Sequence, residues 1–138
     1  MVEIPFYAYH HPLVIEEEDI DVMNHVNNVV YTRWIQEASE AHWMAKTTAG
    51  QRSSMAWVVR RHEIDYLRPS AKGDELIAYT WPEKADGARV NRYVLIKNLK
   101  TGKEIMFSKT TWVLLNLENL RPMPFPADIA SAFIPGSD

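Results

Sequence analysis

Residues 18–34, EDIDVMNHVNNVVYTRW, gather two Asp, one His and three Asn between Asp19 and Asn28, then turn abruptly apolar and aromatic. A turn needs one or two such polar residues; six within ten positions suit an elaborate helix start or a chemical site. The break at Asn28 also sets the architecture. Beyond it, Val30, Trp34, Ala38, Ala41 and Ala45 recur with a period near 3.6, flanked by Tyr31, Ile35 and His42. Arg33, Gln36, Glu37, Glu40 and Lys46 lie mostly off this stripe. The spacing predicts one amphipathic helix of about five turns, capped by Asn27 or Asn28 and stopped near Gly50.

Everything else reads as strand. Upstream, FYAYHHPLVI (6–15) has strand composition, and Pro12 places it at a sheet edge. The acidic run Glu16 to Asp19 reads as a solvated strand end. Downstream, strands are expected at 55–67, 75–81, 88–98 and 103–117, the third alternating at Val90, Arg92, Val94 and Ile96. RPSAKGD, PEKADG and LKTG separate them, and such short turns imply an antiparallel meander. The Pro-punctuated tail leaves room for one short helical turn. A sheet with one apolar face needs a partner layer, and the long helix supplies it. The expected class is α+β, an antiparallel sheet of five to six strands wrapped around one long central helix: a hotdog-like fold in a single domain, 1–138.

Composition narrows the function. Hydrophobic residues make up 46% of 138, enough for a core. Fifteen basic against 18 acidic residues argue against nucleic-acid binding by bulk charge. No segment approaches the ~20 apolar residues of a membrane span, and the N-terminus lacks the basic and apolar regions of a signal peptide. Without cysteine there are no disulfides, thiolate metal sites or cysteine nucleophiles, and the chain suits the cytoplasm. No metal site and no cofactor are expected: Asp19, Asp21 and His25 offer donors, but no second cluster completes a ligand set.

Asp21 stands just before a helix N-terminus, whose open N–H groups favour negative charge or a carbonyl oxygen under attack. A carboxylate there can activate water or attack the carbonyl itself. On spacing alone, ordinary capping and turn formation is the commoner reason for such residues before a helix. Glu37 and Glu40 read as a solvated helix face, with pairing to a neighbouring Arg. The five Trp read as core or subunit interface.

The run DIDVMNHVNNVVYTRW resembles the signature of the hotdog-fold acyl-CoA thioesterases of the 4-hydroxybenzoyl-CoA thioesterase type. It is also similar to the D-x-D-x-x-x-H-V-N-N-x-x-Y-x-x-W segment of acyl-acyl carrier protein thioesterases. A second stretch, RRHEIDYLRPSAKGDEL (60–76), resembles the family's R-x-x-I-x-Y-x-x-P-x-x-x-G-D. The resemblance implies hydrolysis of an acyl-CoA or acyl carrier protein thioester to an acid and a free thiol. It places the catalytic carboxylate at Asp21, the carbonyl-polarising N–H at Asn28, an assisting His at His25 and a substrate contact at Tyr31. Met23 stands where the carrier-protein enzymes have Asn. Arg60, Arg61, Arg89 and Arg92 are the candidate contacts to a coenzyme A phosphate. A homodimer or homotetramer is implied, with the acyl tunnel between subunits. The rivals are a hotdog hydratase or dehydratase, which would change chain unsaturation rather than free a thiol, and a binding module without turnover.

Overall fold

The computed structural model describes residues 1–136. At Asn27 the backbone is extended (φ −65°, ψ 137°) and the side-chain oxygen accepts the Val29 amide. This satisfies one of the N–H groups that a helix start leaves open. Helix α1 then runs Asn28–Lys46, 19 residues. It stops at Thr47, not at Gly50. Thr47 is extended (φ −129°, ψ 161°), and Arg52 Nη1 donates to its carbonyl at 2.6 Å. Thr48 and Gln51 then form a capping box that starts the short α2, Ala49–Arg52, so Gly50 lies inside a helix.

The buried face of α1 is Val30, Tyr31, Trp34, Ile35, Ala38, Ser39 and His42. Ala45, expected on the stripe, is exposed. The polar Ser39 and His42 take the inward positions instead, because both have partners: Ser39 Oγ donates to the Ile35 carbonyl, and His42 meets a buried arginine.

Five strands form one antiparallel sheet: β1 (Tyr9–Leu13), β2 (Met55–Tyr66), β3 (Leu76–Pro82), β4 (Arg89–Asn98) and β5 (Glu104–Asn116). Their spatial order is β1-β3-β4-β5-β2. Pro12 accordingly lies on an edge strand, where its missing N–H breaks no ladder. The meander holds for β3, β4 and β5. It fails between β2 and β3, because residues 67–75 carry the chain across the sheet while β2 pairs with β5. That segment is a crossover, fastened along its way: Leu67 and Arg68 N–H donate to the Ile105 carbonyl, and the Ser70 carbonyl accepts the Val26 N–H at 2.7 Å.

The apolar core lies between α1 and β1, β3 and β4, with Trp34, Ile35 and Ala38 meeting Leu76, Ala78, Val94, Ile96 and Met106. A second cluster forms where α3 (Ala127–Phe133), the short helix expected of the tail, sets Ile129 and Phe133 against Met55 and Leu114.

The acidic run is not a solvated strand end. Glu17–Asp19 make a 3-10 turn, and Asp19 is 1% exposed. Its carboxylate accepts two bonds from Arg33, at 3.0 and 3.1 Å, and one from the Glu16 N–H. The Arg33 guanidinium outweighs desolvation and holds the carboxyl below its usual range. A buried carboxylate requires such compensation. Because the folded pKa is lowered, the stabilisation is present above about pH 3.8 and is lost as pH falls through the folded value. Asp19→Asn should cost about 1–2 kcal/mol at pH 7, discounted because Arg33 is half exposed. Urea midpoints for the two proteins should converge as pH falls below 4; a constant difference would contradict the ion pair's role.

Candidate active site

The loop between Asp19 and Asn28 is a closed, hydrogen-bonded turn. Ile20 and Val26 bridge antiparallel, the Asp21 N–H donates to the His25 carbonyl at 2.7 Å, and Asn24 takes a positive φ of 63°. Asn is one of the few side chains that tolerate this left-handed conformation. Asp21 Oδ1 accepts the amides of Met23 (2.8 Å) and His25 (3.1 Å). Oδ2 takes part in no hydrogen bond among the described residues. The carboxylate is thus oriented through one oxygen and open at the other.

Asn27 caps the helix, so the sequence's two candidates have separate tasks. The N–H of Asn28 occupies the first helical position, has no intrahelical acceptor and donates to no described residue. Asp21, His25, Asn28 and Tyr31 line one cavity of about 210 Å³ together with Val26, Tyr66 and Pro69. The crossover therefore supplies one wall and α1 the other. Tyr31 Oη donates to Ser70 Oγ at 3.1 Å, and burial raises its pKa, so it is a neutral phenol at neutral pH. Tyr31→Phe should lower stability by about 1 kcal/mol, read from the urea midpoint, since it leaves the buried Ser70 hydroxyl without that partner.

The arginines fall elsewhere. Arg60 sits at a register shift in β2, Arg61 is exposed and pairs with Glu63 at 3.4 Å, and Arg89 is exposed at the start of β4. Arg92 is buried at 8% exposure behind the far half of α1. The arginine lining the Asp21 cavity is Arg68, which also donates to the Glu104 carbonyl at 2.7 Å. Sequence reasoning passed over it, although it directly precedes Pro69 in the second motif. Glu37 pairs with Arg33 at 3.3 Å, as expected of a solvated helix face. Among the described residues no cluster of three His, Asp or Glu is placed to hold a metal ion, and no helix is long and apolar enough to cross a membrane.

The thioesterase-like superfamily profile matches residues 15–133, which include both the loop and the crossover. The chain belongs to this superfamily, and it is a thioester hydrolase of the hotdog fold. The solved structures give the same fold. One is a 1,4-dihydroxy-2-naphthoyl-CoA thioesterase from Synechocystis, 17% identical, with a TM-score of 0.82 over 94% of this chain and 97% of that one. Another is a Thermus thermophilus thioesterase complexed with coenzyme A and Zn, 24% identical, with a TM-score of 0.78 over 93% and 92%. A 12:0-ACP thioesterase from Umbellularia californica, 20% identical, has a TM-score of 0.78 over 99% of this chain and 57% of that one. Comparison with curated proteins gives no match.

Proposed function

We propose that the protein hydrolyses an acyl-CoA thioester, with Asp21 as the catalytic carboxylate and the Asn28 N–H as the oxyanion donor. The observation that carries this is that Asp21, with one carboxylate oxygen free of hydrogen bonds, and Asn28, with a backbone N–H that donates to no described residue, line a single cavity. Asp21 Oδ2 takes a proton from water while the water oxygen bonds to the thioester carbon. The carbonyl oxygen, now negative, accepts the Asn28 N–H at the positive end of α1. Collapse expels the thiolate, which regains the proton from Asp21 and leaves as a thiol. His25 serves through its backbone, which holds Asp21 on both sides.

Arg68, exposed at the cavity wall, suits a phosphate of coenzyme A, and the cysteine-free chain suits the cytoplasm. A second copy of the chain completes the assembly. β2 pairs on one side only, with β5, and α1 packs over β1, β3 and β4, leaving the β2 edge open to a strand of the partner. The test is thiol release from a panel of aromatic and straight-chain acyl-CoAs, read with a thiol-reactive dye to which a cysteine-free protein adds no background. Turnover of at least one member is expected. Release from acyl carrier protein thioesters alone would change the carrier, and no release from either would overturn the assignment.

A further inference from the structure

The side chains of the Asp21 loop give it little packing of its own. Val22, Met23 and Val29 are exposed, and between Asp21 and Asn28 only Val26 is buried. Apolar contact therefore does not fix the separation between Asp21, on the arm that enters the loop, and Asn28, on the helix that leaves it. Attack on a carbonyl polarised from the other side needs that separation to be constant, since a misplacement of about 1 Å can cost ~100-fold in rate. The ties that fix it are polar.

Asp19, two residues before Asp21, supplies them at the base of the loop. Its carbonyl accepts the Asn27 N–H at 2.8 Å, which closes the loop beside Asn28. Its buried carboxylate receives Arg33 Nη1 on Oδ1 and Nη2 on Oδ2, one bond to each oxygen. Such a fork fixes the plane of a carboxylate as well as its distance, which a lysine cannot do. Arg33 stands on α1 five residues beyond Asn28, about 7.5 Å further along the helix axis. Its Nε is held in turn by Glu37 at 3.3 Å. Glu37, Arg33 and Asp19 thus brace the arm carrying Asp21 against the flank of the helix whose first turn carries Asn28. A buried ion pair is seldom much more stabilising than an apolar pair of the same volume. What this one adds is a defined orientation.

We propose that Asp19 and Arg33 are positioning residues for thioester hydrolysis, their ion pair setting the distance and angle between the Asp21 carboxylate and the Asn28 N–H. The proposal rests on the assignment of those two groups to the reaction. It goes beyond that assignment in giving control of the rate to two residues that do not line the cavity. A neighbouring pair serves as the control. Lys72 meets Glu17 at 2.8 Å and ties the same 3-10 turn to the crossover, but both side chains are exposed and neither touches a reacting residue.

Benzoyl-CoA and hexanoyl-CoA are the probes, and kcat and KM are measured at a temperature where urea titration shows each variant fully folded. Asp19→Asn keeps the size and removes the charge, whereas Arg33→Lys keeps the charge and removes the fork. Each should lower kcat at least about tenfold while KM stays within about threefold, the split expected of a group that acts on the transition state. Arg33→Lys decides the matter if Asp19→Asn does not fold. Lys72→Met should keep kcat within about twofold, as the loss of an exposed pair implies. Added to Asp21→Asn, Asp19→Asn should lower the residual rate by less than about twofold, because no base is left to place. Amide exchange followed by NMR needs no turnover. The Met23 and His25 N–H groups should exchange at least about tenfold faster in Asp19→Asn, over and above any change at Val94 and Ile96 in β4, whereas plain destabilisation raises all of them alike. Full activity in Asp21→Asn would remove the hydrolytic assignment. With Asp21→Asn inactive, full kcat in Asp19→Asn or Arg33→Lys, an equal loss in Lys72→Met, a multiplied loss in the double variant, or loop exchange that rises no more than that of β4 would overturn the positioning role alone.

Discussion

Asp21→Asn should reduce thiol release by about two to four orders of magnitude, the span associated with loss of a positioned acid–base group. The amide retains the size of the carboxylate, and its oxygen can still accept the Met23 and His25 amides that fix the turn. What disappears is the negative charge and the ability of Oδ2 to take a proton. Stability should accordingly change by no more than about 1 kcal/mol, because the turn keeps its hydrogen bonds and the group is only partly buried. Rate and stability must be read on the same preparation. Full activity in the variant would remove Asp21 from the mechanism, whereas equal losses of activity and folded fraction would leave it a turn residue.

The second large effect is on acid stability, and its source is His42. This imidazole is fully buried, and burial first, then the charges of Arg92 and Lys46, push its pKa down to about 3. Tyr9 stacks on it at 5.0 Å and Phe133 meets it edge-on at 4.7 Å, and among the described residues no carboxylate pairs with it. Its Nδ1 accepts from Arg92 and must be unprotonated. Above pH 6.5 the ring is neutral whether the chain is folded or not. Between 6.5 and about 3 the unfolded chain binds a proton that the native state refuses. Stability then falls by about 1.4 kcal/mol per pH unit. From pH 7 to 4.5 the loss should be roughly 2–3 kcal/mol, a large share of the ~5–15 kcal/mol that holds a domain together. His42→Gln keeps an acceptor for Arg92 and does not titrate, so its stability curve should be flatter across this range. Parallel curves, measured by urea titration at each pH, would assign the acid sensitivity to other groups.

Much of this was legible in the residues. The 3.6-residue period after Asn28 and the alternating runs located α1 and all five strands to within a few positions, because those patterns report directly which side chains face a core. The Asp21, His25, Asn28 and Tyr31 constellation lay within one short stretch, so local reading could assemble it. Partnerships across long separations were hidden. Asp19 looked solvated because its partner, Arg33, lies on the helix, and residues 67–75 looked like a hairpin turn because nothing local reveals which strand β2 will join. Arg92 is the instructive case. The alternation Val90, Arg92, Val94, Ile96 already placed it on the inward face, but its charge suggested a phosphate contact; in β4 the side chain is buried with its apolar neighbours.

The crossover also bears on when the enzyme can work as it is made. Val26 finds its acceptor on Ser70, and the course of residues 67–75 is fixed by a sheet in which β2 waits for β5, whose last residue is Asn116. A chain emerging from the ribosome therefore carries Asp21 and Asn28 early but cannot set the wall opposite them until most of its length has been released. Contacts so far apart in sequence close late. On the proposed assignment of Asp21 and Asn28, the cavity they line is completed only with the finished sheet, and a stalled or truncated product would hold those residues without its opposite wall.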